Sequence, residues 1–312
     1  MNKWIKIYFS GVFMGAADIV PGVSGGTIAF ILGVYERLIA ALSGVNKESI
    51  QLLLKVNLKG LWQHFDGTFL LVLGLGIVSS LALLSGAISY ALEFYPRYLS
   101  SFFMGLILAS AALLAKDLGK FKKHYYLMML LGISFGLFIA LLSPTNLDVT
   151  PLMVIFSGMI AICAMLLPGI SGSFILLMLG MYGPVLLAVK NFELDVISLF
   201  AVGALIGLLS FSKFLKYLMD HFKEITISFL IGVMLGSLLK IWPWVLVNHW
   251  ILIDGKKVPE NTEFVLPWNI NDYQMLSDLA FPLCFVLLGI LIIYVINNIF
   301  LLNNTNGTHK KL

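Results

Sequence analysis

Pro, Gly and Ser in the order Pro-Gly-x-Ser-Gly, set inside apolar runs of chain, suit one kind of chemistry: holding an anion without reacting with it. The chain carries this group twice, as Ala17-Asp-Ile-Val-Pro-Gly-Val-Ser-Gly-Gly26 and Ala164-Met-Leu-Leu-Pro-Gly-Ile-Ser-Gly-Ser173, 147 positions apart. Pro removes a backbone N–H and Gly admits conformations that other residues resist, so each group stops a helix and frees peptide groups. Freed peptide groups cannot face lipid; they must be buried in protein or line a wet cavity. The helix that restarts near Ser24–Thr27 or Ser171–Phe174 would aim unpaired N–H groups and a positive dipole end at an anion, phosphate in particular. The candidate contacts are Pro21, Gly22, Ser24, Gly25, Gly26 and Thr27 in the first group, with Pro168, Gly169, Ser171, Gly172 and Ser173 in the second. Close helix packing is the competing use of Gly and Ser in membrane helices. Duplication of the break at matching places in two halves favours a transporter's binding site.

Charged residues near these groups extend the candidate site. Asp18 precedes Pro21 by three positions and has Met165 as its counterpart in the second group. A carboxylate inside a membrane segment is costly and marks a functional site by default. Asp18 therefore reads as a coupling or proton-relay residue, or as a cap on the freed N–H groups of its own turn. Glu36 joins it as a second candidate for coupling. Arg37 suits bidentate contact with phosphate, or else a pair with Glu36 or a position at the interface. Tyr35 and Tyr182 match across the halves and read as interfacial anchors. Glu93 and Arg97, beside Tyr95 and Pro96, mark an outer loop where a headgroup would first arrive. Ser24 and Ser171 have no base for nucleophilic work, because the His residues (64, 124, 221, 249 and 309) lie in loops or at span ends. An enzyme is not expected.

The elements that must position these residues are membrane helices. With 312 residues, 60% of them apolar and 12% charged, and a mean hydropathy of +0.97, the chain exceeds what a soluble domain can bury. Cys163 and Cys284 fall in apolar runs, so neither a disulfide framework nor a metal or other cofactor is expected. The N-terminal segment lacks a clear cleavage site and reads as retained. Apolar runs lie at 4–20, 27–42, 68–92, 98–115, 124–142, 151–167, 173–189, 196–219, 225–247 and 278–302. A crossing helix needs about 20 residues. The four runs flanking the two motifs fall short of that, and the other six are near full length. Trp62, Trp242, Trp244, Trp250 and Trp268 read as belt residues, and the polar 248–277 loop as a partly ordered external cap.

The duplication extends beyond the motif. Phe9, Ser10, Gly11, Gly33 and Tyr35 recur as Phe156, Ser157, Gly158, Gly180 and Tyr182; further on the offset falls to 127, pairing Gly76 with Gly203 and Gly105 with Gly232. The lost residues correspond to the polar linker around 43–66, which the second half lacks. Short cytoplasmic loops carry the excess Lys and Arg. If each broken segment returns to its starting side, Lys3, Lys47, Lys55, Lys59, Lys116, Lys120, Lys123, Lys213, Lys223 and Lys310 all fall inside, and the acidic 254–278 stretch falls outside. Three full spans per half then force opposite orientations. The expectation is an all-α polytopic fold built as an inverted repeat, 1–147 and 148–312. It has two re-entrant hairpins and about six full spans, ten apolar helical segments in all, with both termini cytoplasmic. Ten full crossings would give the same sidedness.

Asp18-Ile-Val-Pro-Gly-Val-Ser-Gly-Gly-Thr27, followed by Gly33-Val-Tyr-Glu-Arg37 and the second Leu167-Pro-Gly-Ile-Ser-Gly-Ser173, resembles the bacterial polyprenyl-phosphate transporter family over essentially the whole chain. The resemblance implies translocation of undecaprenyl phosphate from the outer to the inner leaflet of the cytoplasmic membrane, recycling the carrier of cell-envelope precursors. It also implies membrane lipid as a partner, with a proton or cation as a coupling candidate. The residues themselves reach only an anion site in an inverted-repeat transporter. A small-anion transporter and, more remotely, a lipid phosphatase or acyltransferase stand as rivals.

Overall fold

The computed structural model describes residues 3–20, 23–119, 122–142, 148–253, 256–270 and 273–308. In chain order these form α1 (Lys3–Asp18), α2 (Gly25–Ile31), α3 (Tyr35–Leu42), α4 (Lys47–Leu54), α5 (Leu58–His64), α6 (Gly67–Phe94), α7 (Pro96–Asp117), α8 (Lys123–Ala140), α9 (Pro151–Leu166), α10 (Gly172–Met178), α11 (Tyr182–Asn191), α12 (Leu194–His221), α13 (Lys223–Ser237), an antiparallel strand pair β1 (Val245–Ile253) and β2 (Lys256–Phe264), and α14 (Phe281–Thr308). Among the described residues six helical stretches are long and apolar enough to cross a membrane: Gly67–Phe94, Pro96–Asp117, Lys123–Ala140, Leu194–His221, Lys223–Ile241 and Met275–Asn298. They fall on the six runs read as full length.

Lengths recur through the chain. Helices α1 and α9 both have 16 residues, α2 and α10 both have 7, and α6 and α12 both have 28. The α2–α3 pair is bent by 118° and the α10–α11 pair by 110°. Both bends have the same cause. Gly33 and Gly180 take φ of +69° and +68°, and the following N–H reaches back to a carbonyl, Val34 to Ala29 at 3.0 Å and Met181 to Leu176 at 2.9 Å. This is a helix stop closed by a left-handed glycine.

The chain divides into two compact units, Met1–Ile88 with Leu114–Ser237, and Ser89–Leu113 with Leu238–Leu312. Each draws on both halves of the sequence. Glycines set the helix contacts inside them. In the first unit, a Cβ on Gly76 of α6 would collide with the Tyr8 carbonyl of α1, and one on Gly203 of α12 with the Ile155 carbonyl of α9. Helices α8 and α13 meet through Gly132, Gly136, Gly232 and Gly236, where a Cβ on Gly132 would strike the Phe229 carbonyl. In the second unit, a Cβ on Gly105 of α7 would strike the Val286 carbonyl of α14. Small residues let backbones touch, and in lipid that contact replaces the hydrophobic driving force.

Three expectations need correcting. The fold is mostly helical but not purely α, since β1 and β2 pair across the stretch read as a partly ordered external cap. The run 225–247 does not stay helical: α13 ends at Ser237, a 3₁₀ turn covers Leu238–Ile241, and the chain passes into β1. Trp244 is no belt residue. It is 4% exposed, and its indole N–H donates to the Asp278 carbonyl at 2.5 Å.

Candidate functional site

Both motif tips lie in the first unit. Pro21 and Gly22 lie outside the described residues. At the first tip α1 ends on Asp18, and Ser24 is the N-cap of α2, its Oγ accepting the Gly26 N–H at 3.1 Å. The Asp18 carboxylate accepts the Gly25 N–H at 2.6 Å. The Thr27 N–H bonds the Ser24 carbonyl at 3.0 Å. The first-turn donors of α2 are thus satisfied from within the tip, with Asp18 supplying the charge. Of the two roles read for Asp18, the capping contact is present.

The second tip is built differently. Met165 stands where Asp18 does, against Gly172 as Asp18 stands against Gly25. Ser171 is the N-cap of α10 but makes no side-chain cap bond; its hydroxyl pairs with that of Ser173 at 2.8 Å. Gly169, with φ of +89°, presses the tip against α13, where a Cβ would lie 2.9 Å from Ser237 Oγ. Pro168 is buried beside it.

Hydrogen bonds tie the tips to each other. The Gly169 N–H donates to Thr27 Oγ1 at 2.7 Å, and the Tyr35 hydroxyl donates to the Leu166 carbonyl at 2.8 Å. Gly26 comes close enough to the second tip that a Cβ would sit 2.9 Å from the Met165 carbonyl. Thr27 and Tyr35 are 0% and 1% exposed. Tyr35 is therefore a buried clasp, correcting its reading as an interfacial anchor, while Tyr182 is exposed. Nothing in the periodicity distinguishes the two tyrosines; the difference arises from contacts 131 residues apart.

Beside the joined tips is a cavity of about 310 Å³. Asp18, Ser24, Ser171, Gly172 and Ser173 give it a polar end. Gly158, Ala161, Ile162 and Met165 of α9, Leu176, Val185, and Phe200 and Ala204 of α12 give it an apolar wall. The lining carries one carboxylate and several hydroxyls, and no Lys, Arg or His among the described residues. The hydroxyls of Ser24, Ser171 and Ser173 suit an oxyanion. The apolar wall suits hydrocarbon.

Arg37 and Glu36 are not part of this lining. Arg37 Nε meets Asp66 at 2.6 Å and its guanidinium lies 4.3 Å from the Phe69 ring centroid. Glu36 pairs with Lys223 at 2.8 Å. In the second unit, Arg97 bonds Asp278, whose other oxygen accepts the Gln274 N–H at 2.7 Å.

Long apolar helices packed through glycine, with two bent helix pairs between them, define a multi-pass membrane protein. The chain belongs to the VCA0040-like family, described as undecaprenyl phosphate translocase-like, whose model matches residues 14–257. It is 45% identical over 258 residues to a polyprenyl-phosphate transporter of Vibrio cholerae, covering 82% of this chain and 84% of that one. It is 35% identical over 264 residues to a polyprenyl-phosphate transporter of Staphylococcus aureus, covering 79% and 88%. No solved structure matches the chain significantly.

Proposed function

We propose that the protein carries undecaprenyl phosphate across the cytoplasmic membrane, from outer to inner leaflet, by sheltering its headgroup at the joined tips. The observation that carries this reading is the cavity, polar at the tips and apolar along α9 and α12. A phosphate monoester cannot cross hydrocarbon unaided because desolvating its charge costs too much. The polyprenyl tail needs no such help and can stay in lipid or along the apolar wall. The names of the relatives agree with this substrate. The protein then acts as a translocase and not as an enzyme.

In this reading the halves 1–147 and 148–312 are an inverted repeat. The α1–α3 hairpin enters from the cytoplasmic face and the α9–α11 hairpin from outside, with both termini cytoplasmic. The helix pairing supports it. The third span of the first half, α8, packs on the second span of the other half, α13, and Gly105 of α7 packs on α14. The headgroup site comprises Ser24, Ser171, Gly172 and Ser173, which line the cavity; Gly25, Gly26, Thr27, Pro168 and Gly169 hold the two tips in place behind it, with Pro21 and Gly22 completing the first motif. Asp18 faces the same space, and two negative groups in a poorly solvated cavity repel strongly. A proton on Asp18 relieves that repulsion, which makes it the coupling residue. Arg37 and Glu36 reach a headgroup only on releasing Asp66 and Lys223.

The test uses vesicles with labelled undecaprenyl phosphate in both leaflets and a membrane-impermeant phosphatase outside. Protein-free vesicles should lose only the outer pool, and vesicles with the protein should lose the whole pool. Protein-containing vesicles that also keep their inner pool would refute the proposal.

A further inference from the structure

The segment that the second half lacks is folded. Asn46 and Ser49 close a capping box at the start of α4, and Asn57 Oδ1 caps α5 through the Gly60 N–H at 2.9 Å. The two helices are held together from inside: a Cβ on Gly60 would lie 2.9 Å from Leu52, and His64 Nε2 meets the Gly44 carbonyl at 2.7 Å. Helix α5 buries no residue and α4 buries only Ser49. Their apolar side chains face outward, as Ile50, Leu53 and Leu54 at i, i+3 and i+4 on α4 and Leu58 and Trp62 at i and i+4 on α5, with Leu61 half-buried between them. Leu54 is 77% exposed, Val56 73% and Leu58 70%.

The turn between the helices is unusual. The Asn57 N–H reaches the Leu52 carbonyl and the Val56 N–H the Leu53 carbonyl, both at 2.9 Å. This is the helix stop that ordinarily places glycine in the left-handed position. Here that position is Val56, with φ of +51°. A β-branched residue resists this conformation, so the fold keeps an exposed apolar side chain where glycine would fit without strain. The same choice recurs in the second half, where Phe192 has φ of +56° and is 80% exposed just before α12.

We propose that α4–α5 is an interfacial hairpin resting in the anionic headgroup layer of one leaflet. Leu53, Leu54, Val56 and Leu58 reach into the acyl boundary, and Lys47, Lys55 and Lys59 face lipid phosphates. Position selects a membrane as the occupant. The insertion leaves α3 at Leu42 and feeds α6, a span that begins at Gly67, so it lies at the bilayer edge. Charge selects anionic lipid: the three lysines are exposed, and of the two local carboxylates Asp66 is taken by Arg37. Apolar faces edged with lysine bind such surfaces. The Arg37–Asp66 pair then ties the exit arm of the first bent pair to the anchored segment. The proposal is independent of the transported substrate.

The test uses the full chain with Cys163→Ser and Cys284→Ser, an environment-sensitive fluorophore on Leu54→Cys, and Asp117→Cys, at the exposed end of α7, as a control. The protein is reconstituted in phosphatidylcholine alone or with a quarter phosphatidylglycerol. Lipids brominated in the acyl chain should quench the Leu54 label several-fold more than the Asp117 label. Phosphatidylglycerol should strengthen that quenching, and Lys47→Gln with Lys55→Gln and Lys59→Gln should abolish the gain. Equal quenching of both labels by aqueous iodide would overturn the proposal. So would a Leu54 label shielded from lipid and iodide alike that cross-links between copies, which would make the face a protein contact.

Discussion

Thr27→Val removes one hydroxyl at nearly constant volume and leaves the buried Gly169 N–H without its 2.7 Å acceptor. Thr27 is 0% exposed, so no water can take the place of the lost oxygen. Stranding a buried donor costs about 1–3 kcal/mol; measured side-chain hydrogen bonds between membrane helices average a lower ~0.6 kcal/mol. Taking ~2 kcal/mol as the upper working value, the balance between joined and separated tips shifts by up to roughly 30-fold. Thermal unfolding in detergent should fall by about 4 °C at that value, and by about 1 °C at the lower one. Transport in the phosphatase assay should fall more than stability does, because the lost bond holds together the two tips that carry the proposed site. Thr27→Ser keeps the oxygen and should restore most of the rate. Equal transport by wild type, Thr27→Val and Thr27→Ser would refute the idea that the clasp organises the site.

Other expectations follow from the same geometry. Asp18→Asn keeps an acceptor for the Gly25 N–H, so the protein should stay folded while transport loses its response to an imposed proton gradient; Asp18→Ala should also lose the cap, about 1 kcal/mol by thermal unfolding. Gly132→Leu forces a side chain into the Phe229 carbonyl and should abolish recovery of folded protein on size-exclusion chromatography, whereas Gly74→Leu, with open space around it, should be recovered normally. Arg97→Ala strands a carboxylate on a residue that is 8% exposed and should cost about 2 kcal/mol, less than a fully buried pair because Arg97 is partly exposed. Pairing Arg97→Met with Asp278→Leu should recover much of that in the same melt. Arg37→Gln, which breaks a pair about one-third exposed on each side, should cost under about 1 kcal/mol.

Long spans were legible because a crossing helix must be apolar for its whole length, and α6, α7, α8, α12 and α14 each satisfy that condition. The breaks were legible because Pro-Gly-x-Ser-Gly cannot continue a helix. Asp18 could be singled out by its cost in a membrane, but whether it capped its own turn depended on a contact with Gly25 that residue type alone does not decide. Tyr35 and Thr27 were harder still. Their partners, Leu166 and Gly169, lie in the other half of the chain, and a repeat read from sequence says which residues correspond, not which ones touch. The Arg37–Asp66 pair is not legible in the sequence, because Asp66 belongs to a linker whose polar composition gives no sign of two ordered helices. The strand pair went unread because its alternation is interrupted, with register irregularities around His249.

The most direct test of the central claim is protection of a thiol at the cavity. Ser173 lines the cavity and is exposed, so Ser173→Cys in the Cys163→Ser, Cys284→Ser background gives a single reporter for a small water-soluble thiol reagent. Undecaprenyl phosphate should slow its modification in a saturable way, and undecaprenol, with the same tail and no phosphate, should not. Equal effects of the two lipids, or no protection in a variant that still transports, would place the headgroup elsewhere.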